Sequence, residues 1–294
     1  MWFVYTILAS WINCAYYFGN QISKIAPNVF MFYRGIVPVI ILSFFFPYIN
    51  FMEAWQFYAA CVFQGFIVSF IDYRQFRAIR VWGAERVSSI YPFCLGFVFI
   101  FWLILRPSDI VKYADNPFRL LGIILALSGI FFSVYSYRQS YRSRQALQYL
   151  VPFILASALC DAMNKFSMSF VPEEDLFSGS VLYVWIQSAV IAVINFIIYS
   201  RKTGETSAIY QWHNIKYSPI IILNIMAGMS KNFAMYNAGN PSYVTALMYL
   251  YIIWIMLVAH ILMRFGIKCR HNELPRHKVF LLLASSVVLA LLGR

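Results

Sequence analysis

Along the chain, long apolar stretches are broken by short polar ones. Ten can be counted, at about residues 3–22, 30–49, 54–74, 87–105, 118–137, 149–169, 179–199, 217–237, 242–263 and 277–293, each close to the ~20 apolar residues that carry an α-helix across a bilayer. They are continuous rather than alternating, which fits helices and not barrel strands, and in lipid only those two architectures satisfy their own backbone groups. The pattern predicts an all-α polytopic membrane protein of ten transmembrane helices. The opening MWFVYTILASW has neither a basic region nor a small-residue cleavage pattern, and it reads as the first span rather than a signal peptide.

Composition strengthens this picture: 62% of residues are hydrophobic and only 12% charged, far from a soluble domain. The net charge of +12 would suggest nucleic acid in a soluble protein, but here the basic residues sort onto one side. Connections after spans three, five, seven and nine carry Arg74, Arg77, Arg80 and Arg86, then Arg138, Arg142 and Arg144, then Arg201, Lys202 and Lys216, then Arg264, Lys268, Arg270, Arg276 and Lys278. The other side holds Arg106, Lys112, Arg119 and Arg294, and its short connections hold acids such as Glu53, Glu173, Glu174 and Asp175. The positive-inside rule then puts the basic loops in the cytoplasm against anionic lipid and both termini outside, with no nucleic-acid partner. Cys14, Cys61, Cys94, Cys160 and Cys269 show no metal or disulfide spacing.

ILAS occurs at Ile7–Ser10 and again at Ile154–Ser157, an offset of 147 in 294 residues. In both places an apolar helix turns polar about six residues later. FRAIRVWGAERVSSIYPF after span three has a counterpart in FAMYNAGNPSYVTALMYL after span eight. The reading is a duplication, 1–144 and 145–294, each half with five helices. An odd number of spans per half makes the repeats inverted, and inverted repeats put a substrate site near the midplane at their interface. The breaks VWGAE (Val81–Glu85) and NAGNPS (Asn237–Ser242) are its expected hinges.

SKIAPNVFMFYRGIVPVIIL, with Lys24, Pro27 and Arg34, resembles the first-to-second helix junction of the drug/metabolite transporter superfamily, in particular its ten-helix EamA-like members. RVSSIYPF is similar to the start of that family's fourth helix, and FRLLGIILALSGIFF to its fifth. The resemblance implies a secondary transporter of small metabolites, in a bacterial inner (cytoplasmic) membrane, needing no cofactor. The chain departs from the family in lacking its Gly-Glu pair after helices four and nine, and the family's cytoplasmic termini oppose the orientation given by the loop charges.

Charges at mid-bilayer cost at least about 2.5 kcal/mol on insertion scales, so they face a cavity or a partner. In span one, Asn13, Tyr16, Tyr17, Asn20 and Lys24 share one helical face, and in span six Ser157, Asp161, Asn164 and Lys165 do so. Span eight adds Asn224, Gly228, Lys231 and Met235 on one stripe, with Asn232 and Tyr236 beside it; span three adds Gln64 and Asp72, and span two Arg34. Trp254 is deep enough to line the same cavity, as are Trp11, Trp185, Tyr249 and Tyr251. The expected substrate-binding set is Asn13, Tyr16, Tyr17, Asn20, Arg34, Asp161, Asn164, Lys165, Asn224, Lys231, Tyr236 and Trp254, walled by spans one, three, six and eight. Structural roles compete: Asp72 could pair with Arg34 or Arg74, Asp161 with Lys165 one turn away, Gln64 could join helices, and Lys24 could snorkel to the interface.

Amides, phenols and charges of both signs favour a zwitterionic, amino-acid-like metabolite. A carrier of a phosphorylated solute or lipid head group is the rival reading, and matched acids argue against it. Proton coupling through Asp161 and simple exchange both stay open, as do monomer and homodimer. An enzyme is not expected: the histidines form no metal or Ser–His constellation, and neither nucleotide-binding loop occurs. Lys165→Ala and Asn164→Ala are expected to abolish transport.

Overall fold

The structure, a computed structural model, describes residues 2–22, 27–136, 141–203, 218–264 and 276–292. Among them there is no strand. The longer helices follow the apolar runs: α1 (Trp2–Ile22), α2 (Pro27–Ser43), α3 (Trp55–Trp82), then α4 (Ala84–Ile90) and α5 (Cys94–Leu105), the peripheral α6 (Ser108–Ala114), α7 (Pro117–Ser136), α8 (Tyr141–Met168), α9 (Leu176–Thr203), α10 (Ser218–Asn237), α11 (Pro241–Met248) and α12 (Tyr251–Arg264), and α13 (Arg276–Leu291).

Among the described residues, four helical stretches are long and apolar enough to cross a membrane: Arg86–Leu105, Arg144–Met168, Glu173–Ile198 and Pro241–Ile261. Val29–Ser43 and Pro117–Ser133 are shorter apolar helices. The distribution of polarity is that of a membrane protein. Val4, Ile104, Leu125, Phe132 and Val193 stand exposed on the outside, while Arg34, Gln64, Asp161, Asn164, Asn232 and Asn240 are buried.

Two apolar runs are broken helices. After α3 the chain turns at Gly83, whose φ of 88° lies in the left-handed region that glycine reaches without a Cβ penalty. The Gly83 N–H closes the end of α3 on the Ile79 carbonyl at 2.8 Å. α4 then passes through a 3₁₀ turn at Tyr91–Phe93 into α5. After α10 the chain turns at residues 238–240, and α11 gives way at Tyr249 and Leu250 to α12. Here a side chain makes the cap: Asn240 Oδ1 accepts from the Ser242 backbone N–H at 2.9 Å, with Pro241 in the first turn where its missing N–H costs nothing. Both breaks coincide with the Gly- and Pro-bearing segments expected from the sequence.

The helices pack in a reciprocal pattern. α1 lies on α10 and α3 on α8; α2 pairs with α9 and α7 with α13; α5 packs on α8, and α11 and α12 on α1. The α2/α9 contact depends on Gly35, because a Cβ there would collide with the Ala192 backbone. Such small residues let helices approach closely where no hydrophobic force drives them together in lipid.

Candidate functional site

At the centre of this packing lies one cavity of about 220 Å³. It is walled by α1, α2, α3, α8, α9 and α10, by Tyr91 of the first broken helix, and by Thr245, Met248, Tyr249 and Tyr251 of the second. α2, α9 and the two broken helices thus join the four predicted walls.

Two ion pairs face it. Arg34 of α2 pairs with Asp72 of α3, and Lys231 of α10 with Asp161 of α8. All four side chains are largely buried, at 10% and 14% exposure for the first pair and 22% and 9% for the second, so neither charge of a pair could stand alone without a large desolvation cost. Thr245 Oγ donates to the second Asp161 oxygen at 2.9 Å. Tyr16 lies against Arg34, and Lys231 acts electrostatically on Asp72 across the cavity. The four charges alternate in sign and sum to zero.

An amide and phenol network occupies the wall between α3, α8, α9 and α10. Asn164 Nδ2 donates to Tyr183 OH at 2.8 Å and to Asn232 Oδ1 at 3.0 Å. Tyr183 OH donates to Gln64 Oε1, and Gln64 Nε2 to Ser167 Oγ at 3.2 Å. Gln64 therefore both lines the cavity and joins helices. Elsewhere on the wall Tyr17 stacks on Tyr251 with centroids 5.0 Å apart, and Gln75 donates to Tyr17 OH.

Of the predicted residues, Asn13, Tyr16, Tyr17, Arg34, Asp161, Asn164, Asn224 and Lys231 line this cavity together. Lys165, Tyr236 and Trp254 do not, and each is corrected by its surroundings. Lys165 lies one turn beyond Asp161, about 6 Å further along α8. Its ammonium donates to the Tyr236 carbonyl at 2.8 Å, among the last carbonyls of α10, which have no intrahelical partner. It thus holds the end of α10, and Asp161 takes Lys231 instead. The Tyr236 phenol lies near Glu173 and Glu174. Trp254 packs on Trp11 at 5.7 Å, and Trp11 is exposed on the outer surface. Trp185, also expected to reach the cavity, donates instead to Ser43 Oγ at 2.9 Å. The Asn20 side chain and Lys24 lie outside the described residues.

The predicted set missed Asp72, Asn232, Gln75, Tyr183, Gln187 and Thr245. Tyr183 and Gln187 carried a usable signal, polar residues four apart in an otherwise apolar run. Thr245 carried none, since its role depends on where the second broken helix lands.

Compared with known protein families and curated proteins, the chain matches no family model and no curated sequence.

Proposed function

We propose that this protein is a ten-helix secondary transporter that carries a small zwitterionic, amino-acid-like metabolite by alternating access through the central cavity. The observation that carries the reading is the convergence of two ion pairs of zero net charge, with amides and phenols, on one cavity inside an apolar helical body. Charges so placed in a membrane protein mark a substrate path.

The reciprocal packing supports an inverted duplication of 1–144 and 145–294. Relating each helix of the first half to its counterpart in the second exchanges α1/α10 with α8/α3, and α5/α8 with α11 and α12 on α1; it leaves α2/α9 and α7/α13 as self-related pairs. A broken helix occupies the fourth place in each half. Rocking about these breaks would open the cavity to alternate sides. Kinship with EamA-like drug/metabolite transporters accords with this plan, as does a cytoplasmic-membrane location with basic loops inside.

Volume and charge both favour a small zwitterion over a phosphorylated solute. The cavity is below the ~300 Å³ at which drug-sized pockets begin, and its acids leave no surplus of positive charge. The test is uptake and counterflow in proteoliposomes with separate pools of amino acids, amines, nucleotides and sugar phosphates. Uptake of amino acids that is lost in Asp161→Asn supports the carrier; movement of phosphorylated solutes alone would replace this reading by its rival, and no movement would overturn both.

A further inference from the structure

Several buried atoms of the cavity wall have no hydrogen-bond partner among the described residues, Tyr16 OH, Tyr91 OH and Arg34 Nε among them, and two more belong to side chains bonded to each other: Asn164 Oδ1 and Asn232 Nδ2. Both asparagines are buried, at 4% and 0% exposure, and both line the cavity. The network behind them is satisfied from the Asn164 amide nitrogen through Tyr183 and Gln64 to Ser167, whose hydroxyl donates to the Met163 carbonyl at 2.8 Å. It stops at the two asparagines, which bond to each other at 3.0 Å and leave over one acceptor and one donor. Exchanging nitrogen and oxygen in both asparagines, with the Gln64 amide turned to match so that it donates to Tyr183 OH, leaves the same remainder. Buried polar groups without partners are costly, so this end of the network calls for a matching group from a ligand.

The chemistry of that group is restricted. It must present a donor and an acceptor along one edge. A primary carboxamide does so, and so does the cis-amide edge of a neutral heterocycle. A carboxylate only accepts and an ammonium only donates, while the N–H and C=O of a trans peptide point in opposite directions. A charged side group would also give the substrate a net charge, which a cavity whose four charges sum to zero does not balance.

We propose that Asn164 and Asn232 form an amide-reading subsite that selects substrates carrying a neutral donor–acceptor edge. Taken with the zwitterion reading on which it rests for the rest of the molecule, the preferred substrate is an amino acid with a carboxamide side chain.

The purified full-length protein is tested by ligand-induced thermal stabilisation, and by competition for counterflow, with glutamine, asparagine, leucine, glutamate, lysine and uracil as probes. Glutamine or asparagine should act at about tenfold lower concentration than leucine, the scale of one or two hydrogen bonds, and Asn232→Leu should bring the two concentrations together. Equal action of leucine and glutamine on the wild-type protein overturns the subsite and leaves the zwitterion carrier standing, whether or not the variant folds. Stabilisation by uracil alone supports the subsite and overturns the zwitterion. If no probe acts, both fall.

Discussion

The two carboxylates of the cavity are built differently. Asp72 is joined to Arg34 on the adjacent helix, so its pair links α3 to α2 within the first half. Asp161 is held from two directions, by Lys231 of α10 and by Thr245 of α11, and these two donors stand on opposite sides of the break at residues 238–240. At the first break, backbone bonds run from Gly83 N to the Ile79 carbonyl and from Val87 N to the Gly83 carbonyl at 3.2 Å, and Trp82 packs on Tyr149 of α8 with ring centroids 5.3 Å apart. At the second break Asn240 caps α11 and also donates to Tyr113 OH at 2.9 Å, tying it to α6. The first carboxylate therefore fixes two neighbouring helices, whereas the second registers the position of a broken helix relative to the cavity. A movement of α11 must remake the Asp161 centre and need not disturb Asp72.

Breaking the second centre should have the largest effect. Asp161→Ala strands the Lys231 ammonium and the Thr245 hydroxyl together, and should lower stability by about 4 kcal/mol, in the range for orphaning one member of a buried pair; thermal and denaturant unfolding of detergent-purified protein measures it. Replacing both Asp161 and Lys231 by Leu should recover most of that stability while uptake stays absent, which separates folding from function. Asp72→Ala comes next, at about 3 kcal/mol, because Arg34 keeps Tyr16 beside it. Equal losses at the two aspartates would mean that the two centres are held alike.

The sequence made the helical class and the polar faces legible for a physical reason: charge in a run of hydrocarbon-loving residues has few places to go. Eight of the twelve predicted residues meet at one cavity because helical periodicity alone puts Asn13, Tyr16 and Tyr17 on one face and Asp161 and Asn164 on another. What periodicity cannot give is depth and partner. Asp161 and Lys165 share a face, yet Lys231 from another helix takes the carboxylate. Tyr183 and Gln187, four apart in an apolar run, were legible as a polar face, whereas Thr245 was hidden by the break that brings it back to the cavity.

Thr245→Val sharpens the comparison without removing a charge. It deletes one hydrogen bond to Asp161 and leaves the Lys231 pair in place, so it should cost about 1.5 kcal/mol, the lower end for bonds to a charged group. If Asp161 registers the position of α11, counterflow should slow in this variant more than substrate affinity falls. A change in affinity alone would make Thr245 a mere support for the carboxylate.

The smallest effect is expected at Lys165, and it separates a residue near the cavity in sequence from one that lines it. Lys165→Met keeps the apolar stem and removes the ammonium that caps the α10 carbonyl of Tyr236. The loss should be about 1 kcal/mol, the usual scale of one net hydrogen bond, visible as a modest fall in melting temperature. Uptake and its half-saturating concentration should stay close to wild type, because no charge of the cavity has lost its partner. Abolished uptake in a folded Lys165→Met protein would return this lysine to the substrate path, and the end of α10 would then have to move into the cavity during the transport cycle.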